Sequence, residues 1–197
     1  MTEPVVLEAL AAAAQALRQR QERFALVGGL AVSIHGEVRF TRDVDLAVAV
    51  ADDEAAEQLV YGLRSEGFEA VASVEHGERE RLSTVRLLSP LGVKVDLIFA
   101  SCGIEAEVVE RATLIDVPGT GPLPVACVEE LVAMKTLSMT QRRLQDRIDA
   151  QRLLEHTEGL DLERVRANLA LIHQRGYDRG EDLEAKLASL LEEVGST

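Results

Sequence analysis

Apolar and polar positions alternate along the chain in two distinct periods. Over residues 5–22, Val5, Val6, Ala9, Leu10, Ala13 and Leu17 recur at helical spacing, which predicts an amphipathic helix. Phe24-Ala-Leu-Val is a short apolar run stopped by Gly28-Gly29, the pattern of a buried strand. A short helix from Leu30 to His35 follows, ended by Gly36, and residues 37–42 lead as a loop into a second strand at 43–50. Asp52, Asp53 and Glu54 favour the N-terminus of a helix that Gly67 stops. Residues 68–74 and 82–89 read as antiparallel strands around a charged loop at 76–81. A turn at Pro90-Leu-Gly leads to another strand at 93–100. A helix at 105–111 and a short strand at 114–117 complete this half. From Val125 onward the pattern is helical throughout, in segments near 127–139, 141–157, 161–175 and 180–193.

The Gly- and Pro-rich stretch 118–124 is the sharpest shift in composition. It divides the expected fold into a mixed α/β core at 1–117 and a C-terminal helical region at 118–197 that packs on it. The length, 197 residues with 47% apolar, suits one domain with a sizeable core. No apolar run is long enough for a membrane span, and the N-terminus carries no basic leader, so a cytoplasmic protein is expected. Two isolated cysteines argue against a disulfide framework or a thiolate zinc site. The formal charge of −13 opposes indiscriminate nucleic-acid binding, and six aromatics are few for a base-stacking platform.

The chemistry concentrates on the strands. In DVDLAVAV at 43–50, Asp43 and Asp45 share one face, while Val44, Leu46, Val48 and Val50 take the other. Two acids two residues apart repel each other unless a cation lies between them. In VKVDLIFA at 93–100, Asp96 supplies a third acid in an apolar strand, where it needs a partner; Lys94 is one candidate and a metal is another. An Asp-x-Asp pair arises easily by chance, so its weight comes from context: both acids open an apolar strand shortly after a glycine turn. Three carboxylates on neighbouring strands suffice for two Mg²⁺ ions in phosphoryl or nucleotidyl transfer.

Gly28 and Gly29 let backbone N–H groups approach a phosphate at a helix start, and Ser33 lies one turn further. A tight connection is the simpler reading of that turn alone. Its sequence matches neither a Walker A loop nor a Gly-x-Gly-x-x-Gly turn. Arg39-Phe-Thr-Arg runs directly into Asp43, so Arg39, Thr41 and Arg42 are candidate triphosphate contacts. His35 fits a helix-end role better than a ligand. In the helical half, residues 135–152 carry five basic residues against Asp146 and Asp149, and Lys135 follows the apolar stretch LVAM.

Taken in order, LVGGLAVSIHG at 26–36, RFTRDVDL at 39–46, VKVDLI at 93–98, LVAMK at 131–135 and RLQDRIDA at 143–150 resemble the nucleotidyltransferase superfamily. The likeness is greatest to AbiEii-type nucleotidyltransferases, which include toxins of toxin–antitoxin pairs. That resemblance implies an α+β fold, a mixed sheet flanked by helices, with a C-terminal helical bundle. It implies an enzyme moving a nucleoside monophosphate from Mg²⁺–NTP to a hydroxyl, with two Mg²⁺ ions. Asp43, Asp45 and Asp96 would ligate the metals, and Asp96 would help deprotonate the acceptor. Gly28, Gly29, Ser33, Arg39, Thr41, Arg42, Lys135 and Asp146 would hold the nucleotide, with Lys135 neutralising phosphate charge. The acceptor would be a tRNA or a small molecule such as an aminoglycoside, and an antitoxin would be a protein partner. The alternative is a non-catalytic nucleotide- or partner-binding module of the same fold. Many relatives have Ser after the first glycine, where this chain has Gly29.

Overall fold

The computed structural model describes residues 3–36, 40–76 and 81–195. Helix α1 (Glu3–Gln19) buries Val6, Ala9, Leu10, Ala13 and Leu17, the stripe its periodicity predicts. Strand β1 (Phe24–Val27) is buried at all four positions and passes without a loop into α2 (Gly28–His35). The two glycines are therefore the first turn of the helix rather than a linker before it. Val27 is extended and Gly28 takes a left-handed φ of +65°, so the chain passes from strand to helix within one residue. His35 closes the helix and bonds through Nε2 to the Ala126 carbonyl at 2.8 Å, a packing role.

Strand β2 (Asp43–Val48) is followed by α3 (Asp53–Leu63), a 3₁₀ turn at 64–66, β3 (Glu69–His76), β4 (Arg81–Leu88) and β5 (Lys94–Ile98). Asp52 caps α3 by accepting from the Ala55 N–H at 2.9 Å. Helix α4 (Glu105–Arg111), β6 (Thr113–Val117) and β7 (Gly121–Val125) precede four helices: α5 (Val128–Ser138), α6 (Leu144–His156), α7 (Leu162–Gln174) and α8 (Leu183–Gly195).

The seven strands form one mixed sheet in the order β3-β4-β5-β2-β1-β7-β6. β2 runs parallel to β5, and β1 parallel to β7; the other neighbours are antiparallel. The sequence predicts a loop over 118–124, yet residues 121–125 form β7. Pro122 and Pro124 are tolerated because β7 meets β1 only at its end, where Val125 pairs with Leu26, so their missing N–H groups break little of the ladder. The Pro/Gly stretch thus lies inside a hairpin of the main sheet, and the purely helical part begins at α5. One continuous hydrophobic core joins α1, the sheet and α5 to α8. Helix α6 starts at Leu144, three residues later than its pattern predicts, after the turn at 140–143. Among the described residues no helix is long and apolar enough to cross a membrane.

Candidate active site

The sheet register sets the site. β2 and β5 pair so that Asp45 lies beside Asp96. β5 and β4 pair so that Asp96 lies beside Arg86. Cross-strand partners stand about 4.8 Å apart on one face, so Asp45, Asp96 and Arg86 form a row across three strands. Asp43 projects from the same face of β2, one pleat earlier. The sequence offers Lys94 as a partner for Asp96; the structure supplies Arg86 instead. Its Nε donates to one Asp96 oxygen at 2.8 Å and its terminal nitrogen to the other at 2.7 Å, a two-pronged fork. Lys94 is exposed and sits in register with Asp43.

The row is electrostatically tense. Burial pushes Asp45 up to about 6, and the neighbouring Asp96 and Asp43 carboxylates push the same way. Lys135 and the Gly29 N–H, which donates to Asp45, pull in the opposite direction. The glycine turn serves this carboxylate directly. A Cβ on Gly28 would overlap the Asp45 side chain, and the left-handed φ would strain any other residue. Gly28→Ala is expected to cost about 2 kcal/mol in chemical denaturation, combining backbone strain with displacement of Asp45. A variant as stable as the parent would mean that Asp45 does not depend on this approach.

Lys135 reaches the site from α5. That helix is anchored by the fully buried Glu130, which accepts from Arg164 at 2.9 and 2.5 Å, Arg111 at 3.0 Å and Asn168 at 3.1 Å. One turn on, Lys135 Nζ lies 2.7 Å from Asp146 and 2.8 Å from Asp149, both on α6. Asp149 is fully buried and also accepts from Gln145 at 2.8 Å, while Arg143 reaches Asp146 at 2.8 Å. The two α6 acids thus fix the ammonium in place.

Two cavities meet over these groups. One, of about 410 Å³, is lined by Gly29, Phe40, Thr41, Arg42 and Asp43. The other, of about 750 Å³, is lined by Gly28 and by apolar groups including Val27, Ile98, Leu131 and Met134. Asp45, Arg86, Asp96, Lys135, Arg143 and Asp146 line both. The Arg42 guanidinium lies 5.5 Å from the centre of the Phe40 ring. Ser33, predicted as a phosphate contact, lines neither cavity. Its hydroxyl donates to the Gly29 carbonyl at 3.0 Å, one turn back in the same helix. Arg39 lies outside the described residues. The sequence singled out neither Arg86 nor, as an individual residue, Arg143.

The donor set fits a hard divalent cation: carboxylate oxygens, with Asp96 and Asp43 placed to raise the affinity of Asp45 for positive charge. As they stand, no three Asp, Glu, His or Cys side chains among the described residues converge at metal-holding distances, and Asp96 is turned to Arg86.

Residues 10–195 match the family model described as nucleotidyl transferase AbiEii toxin, type IV TA system. The chain belongs to this family. It is an enzyme of the nucleotidyltransferase class. No curated protein matches it. Among solved structures, an antigenic nucleotidyltransferase-like protein from Paracoccidioides brasiliensis superposes with a TM-score of 0.53 at 20% identity, over 95% of this chain and 92% of that one. ANT(2'')-Ia in complex with adenylyl-2''-tobramycin superposes with a TM-score of 0.50 at 15% identity, over 88% and 99%. At these identities the likeness is one of fold, and it covers the AbiEii chain nearly end to end, sheet and helical half together.

Proposed function

We propose that the enzyme transfers a nucleoside monophosphate from a Mg²⁺–NTP to a hydroxyl on tRNA, and that it acts as the toxin of a pair with a protein antitoxin. The observation that carries the transfer reaction is the row of Asp45 and Asp96, flanked by Asp43, at the meeting of two cavities with Lys135 above it. The smaller cavity suits a triphosphate: Arg42, Arg86, Lys135 and Arg143 line it, and Gly29 contributes the first turn of a helix. The larger cavity combines apolar wall with polar groups, as a nucleoside and an acceptor require. Asp43, Asp45 and Asp96 would hold the Mg²⁺ ions, which when bound would supply charge to polarise the phosphates and lower the acceptor's pKa. The acceptor oxygen bonds to the α-phosphorus, the bond to the bridging oxygen breaks, and pyrophosphate leaves. The hydroxyl proton passes to Asp96. Lys135 neutralises charge on the phosphates.

The choice of tRNA rests on the basic stretch at 142–152, whose Arg143 lines both cavities in a chain otherwise strongly acidic. A polycationic small molecule is favoured by a different observation: the net charge of −13, with Glu75 in the larger cavity. One experiment separates them. The protein is incubated with Mg²⁺, each α-labelled NTP in turn and total tRNA, beside an Asp43→Asn/Asp45→Asn control. Label on RNA from one nucleotide, absent in the control, is the expected result. Mg²⁺-dependent NTP binding without labelled RNA would move the acceptor to the small-molecule class. Equal labelling by the control would overturn the carboxylate assignment.

A further inference from the structure

We infer that Arg86 is a positioning residue that makes metal entry depend on nucleotide. This rests on the transfer reaction proposed above. The Arg86 guanidinium holds both oxygens of Asp96, at 2.8 and 2.7 Å, and its charge also acts on Asp43 and Asp45. Among the described cavity-lining cations it is the one that bonds a candidate metal ligand directly, through Asp96. The other cations lining the cavities make their contacts elsewhere: Lys135 bonds Asp146 and Asp149 and reaches Asp45 only by its field, Arg143 bonds Asp146, Arg42 lies over the Phe40 ring, and Arg179 reaches the Ser101 carbonyl. A bare divalent ion approaching the row meets a carboxylate whose oxygens are engaged and whose charge is already matched.

Nucleotide changes that balance. Arg86 lines both cavities, and its side chain is 41% exposed, against 12% for Asp96. Its backbone is fixed in β4, paired on both sides by β3 and β5, so only the side chain needs to move. A guanidinium fork fits two phosphate oxygens as well as it fits a carboxylate, and a triphosphate carries more charge. Drawn onto the phosphates, Arg86 frees Asp96 to turn toward Asp45 and complete the metal site. Metal and nucleotide then enter together, because each raises the affinity for the other by the same factor.

The test titrates Mn²⁺ alone, followed by electron paramagnetic resonance of the free ion, into the wild type, Arg86→Gln and Arg86→Lys, and repeats each titration with a non-hydrolysable NTP analogue. Arg86→Gln is expected to bind bare Mn²⁺ about 10-fold tighter than the wild type, an effect of the size seen when the groups around a metal ligand are changed. The tightening of Mn²⁺ by the analogue, large in the wild type, is expected to shrink by the same factor. Arg86→Lys keeps the charge and loses the fork, so it falls between the two and serves if the Gln variant fails to fold. Bare Mn²⁺ binding unchanged or weakened in the folded variants would overturn the role of Arg86. The underlying reaction is checked separately: if Asp43→Asn/Asp45→Asn binds Mn²⁺ with the analogue as the wild type does, the carboxylates are not ligands and that earlier proposal fails.

Discussion

Lys135→Met is expected to destabilise the protein by about 3 kcal/mol at neutral pH, the lower end of the range for removing one partner of a buried ion pair. The ammonium touches two carboxylates at once, and Asp149 has no exposure to water. Losing the lysine takes this counter-charge from the buried Asp149 and leaves Asp146 with Arg143. Gln145 on Asp149 and Arg143 on Asp146 soften the loss, which is why the lower end applies. Urea unfolding measures it directly, and in a chain of this size the melting temperature should fall by roughly 10 °C. A second substitution separates the structural part from the chemical part. Lys135→Met/Asp149→Asn removes the most deeply buried charge together with its partner, so much of the stability should return. Transfer should stay depressed by about 10²–10³-fold, because the phosphates still lack their counter-charge. Activity that returned with stability would make Lys135 a structural residue. A single variant within about 1 kcal/mol of the parent would place the pair in water.

The parts of this site that were legible in the sequence are those set by local pattern. Period-two alternation places Asp43 and Asp45 on one face of a strand, and the strand bears it out. The apolar run around Lys135 marks a buried helix, and Lys135 is buried there. Register was harder to see, yet one signal was present. Strands β4 and β5 form a hairpin around the turn at Pro90–Gly92, and a hairpin centred on Leu91 sets residue 86 opposite residue 96. The residue on Asp96's own strand, Lys94, drew attention away from that pairing. Ser33 lies away from both cavities for a local reason: a serine inside a helix bonds readily to the carbonyl one turn back, and this one does. The β7 strand was hidden because two prolines in five residues read as loop. Only the sheet position, next to β1 at a single residue, lets them stay. Asp149 stood out only as part of RLQDRIDA; its contact with Lys135 had no signal, since that partner lies on a different helix and the α5–α6 packing angle is not written in either segment.

Asp45→Asn is expected to make the metal-free protein more stable while removing its activity. The carboxyl sits at about 6 in the folded chain, against an ordinary value of 3.8, with burial as the larger cause and the Asp96 and Asp43 charges adding to it. Below pH 4 the group is neutral in both folded and unfolded chains, and it costs nothing. Between about 4 and 6 the folded chain keeps a proton that the unfolded chain has released, so stability from this residue falls as pH rises. Above 6 the folded state carries the full penalty, roughly 2–3 kcal/mol. Asparagine has the same shape, still accepts from the Gly29 N–H and still clears Gly28, but it never charges. The variant should therefore gain roughly 2–3 kcal/mol at pH 7.5, a rise of about 6 °C in melting temperature, and gain nothing at pH 4. Added Mg²⁺ with NTP should stabilise the wild type and leave the variant nearly unmoved, since on the proposed assignment the variant lacks a metal ligand. Transfer should fall on the order of 10³-fold or more, because on the proposed assignment the carboxylate under strain is also the one that would hold the metal against the phosphates. Loss of stability at pH 7.5 without metal would show instead that the ionised carboxylate is held by Gly29 and Lys135 as a structural element. The opposite pair of outcomes, higher stability and no transfer, is the signature of a residue kept charged for chemistry at the expense of the fold.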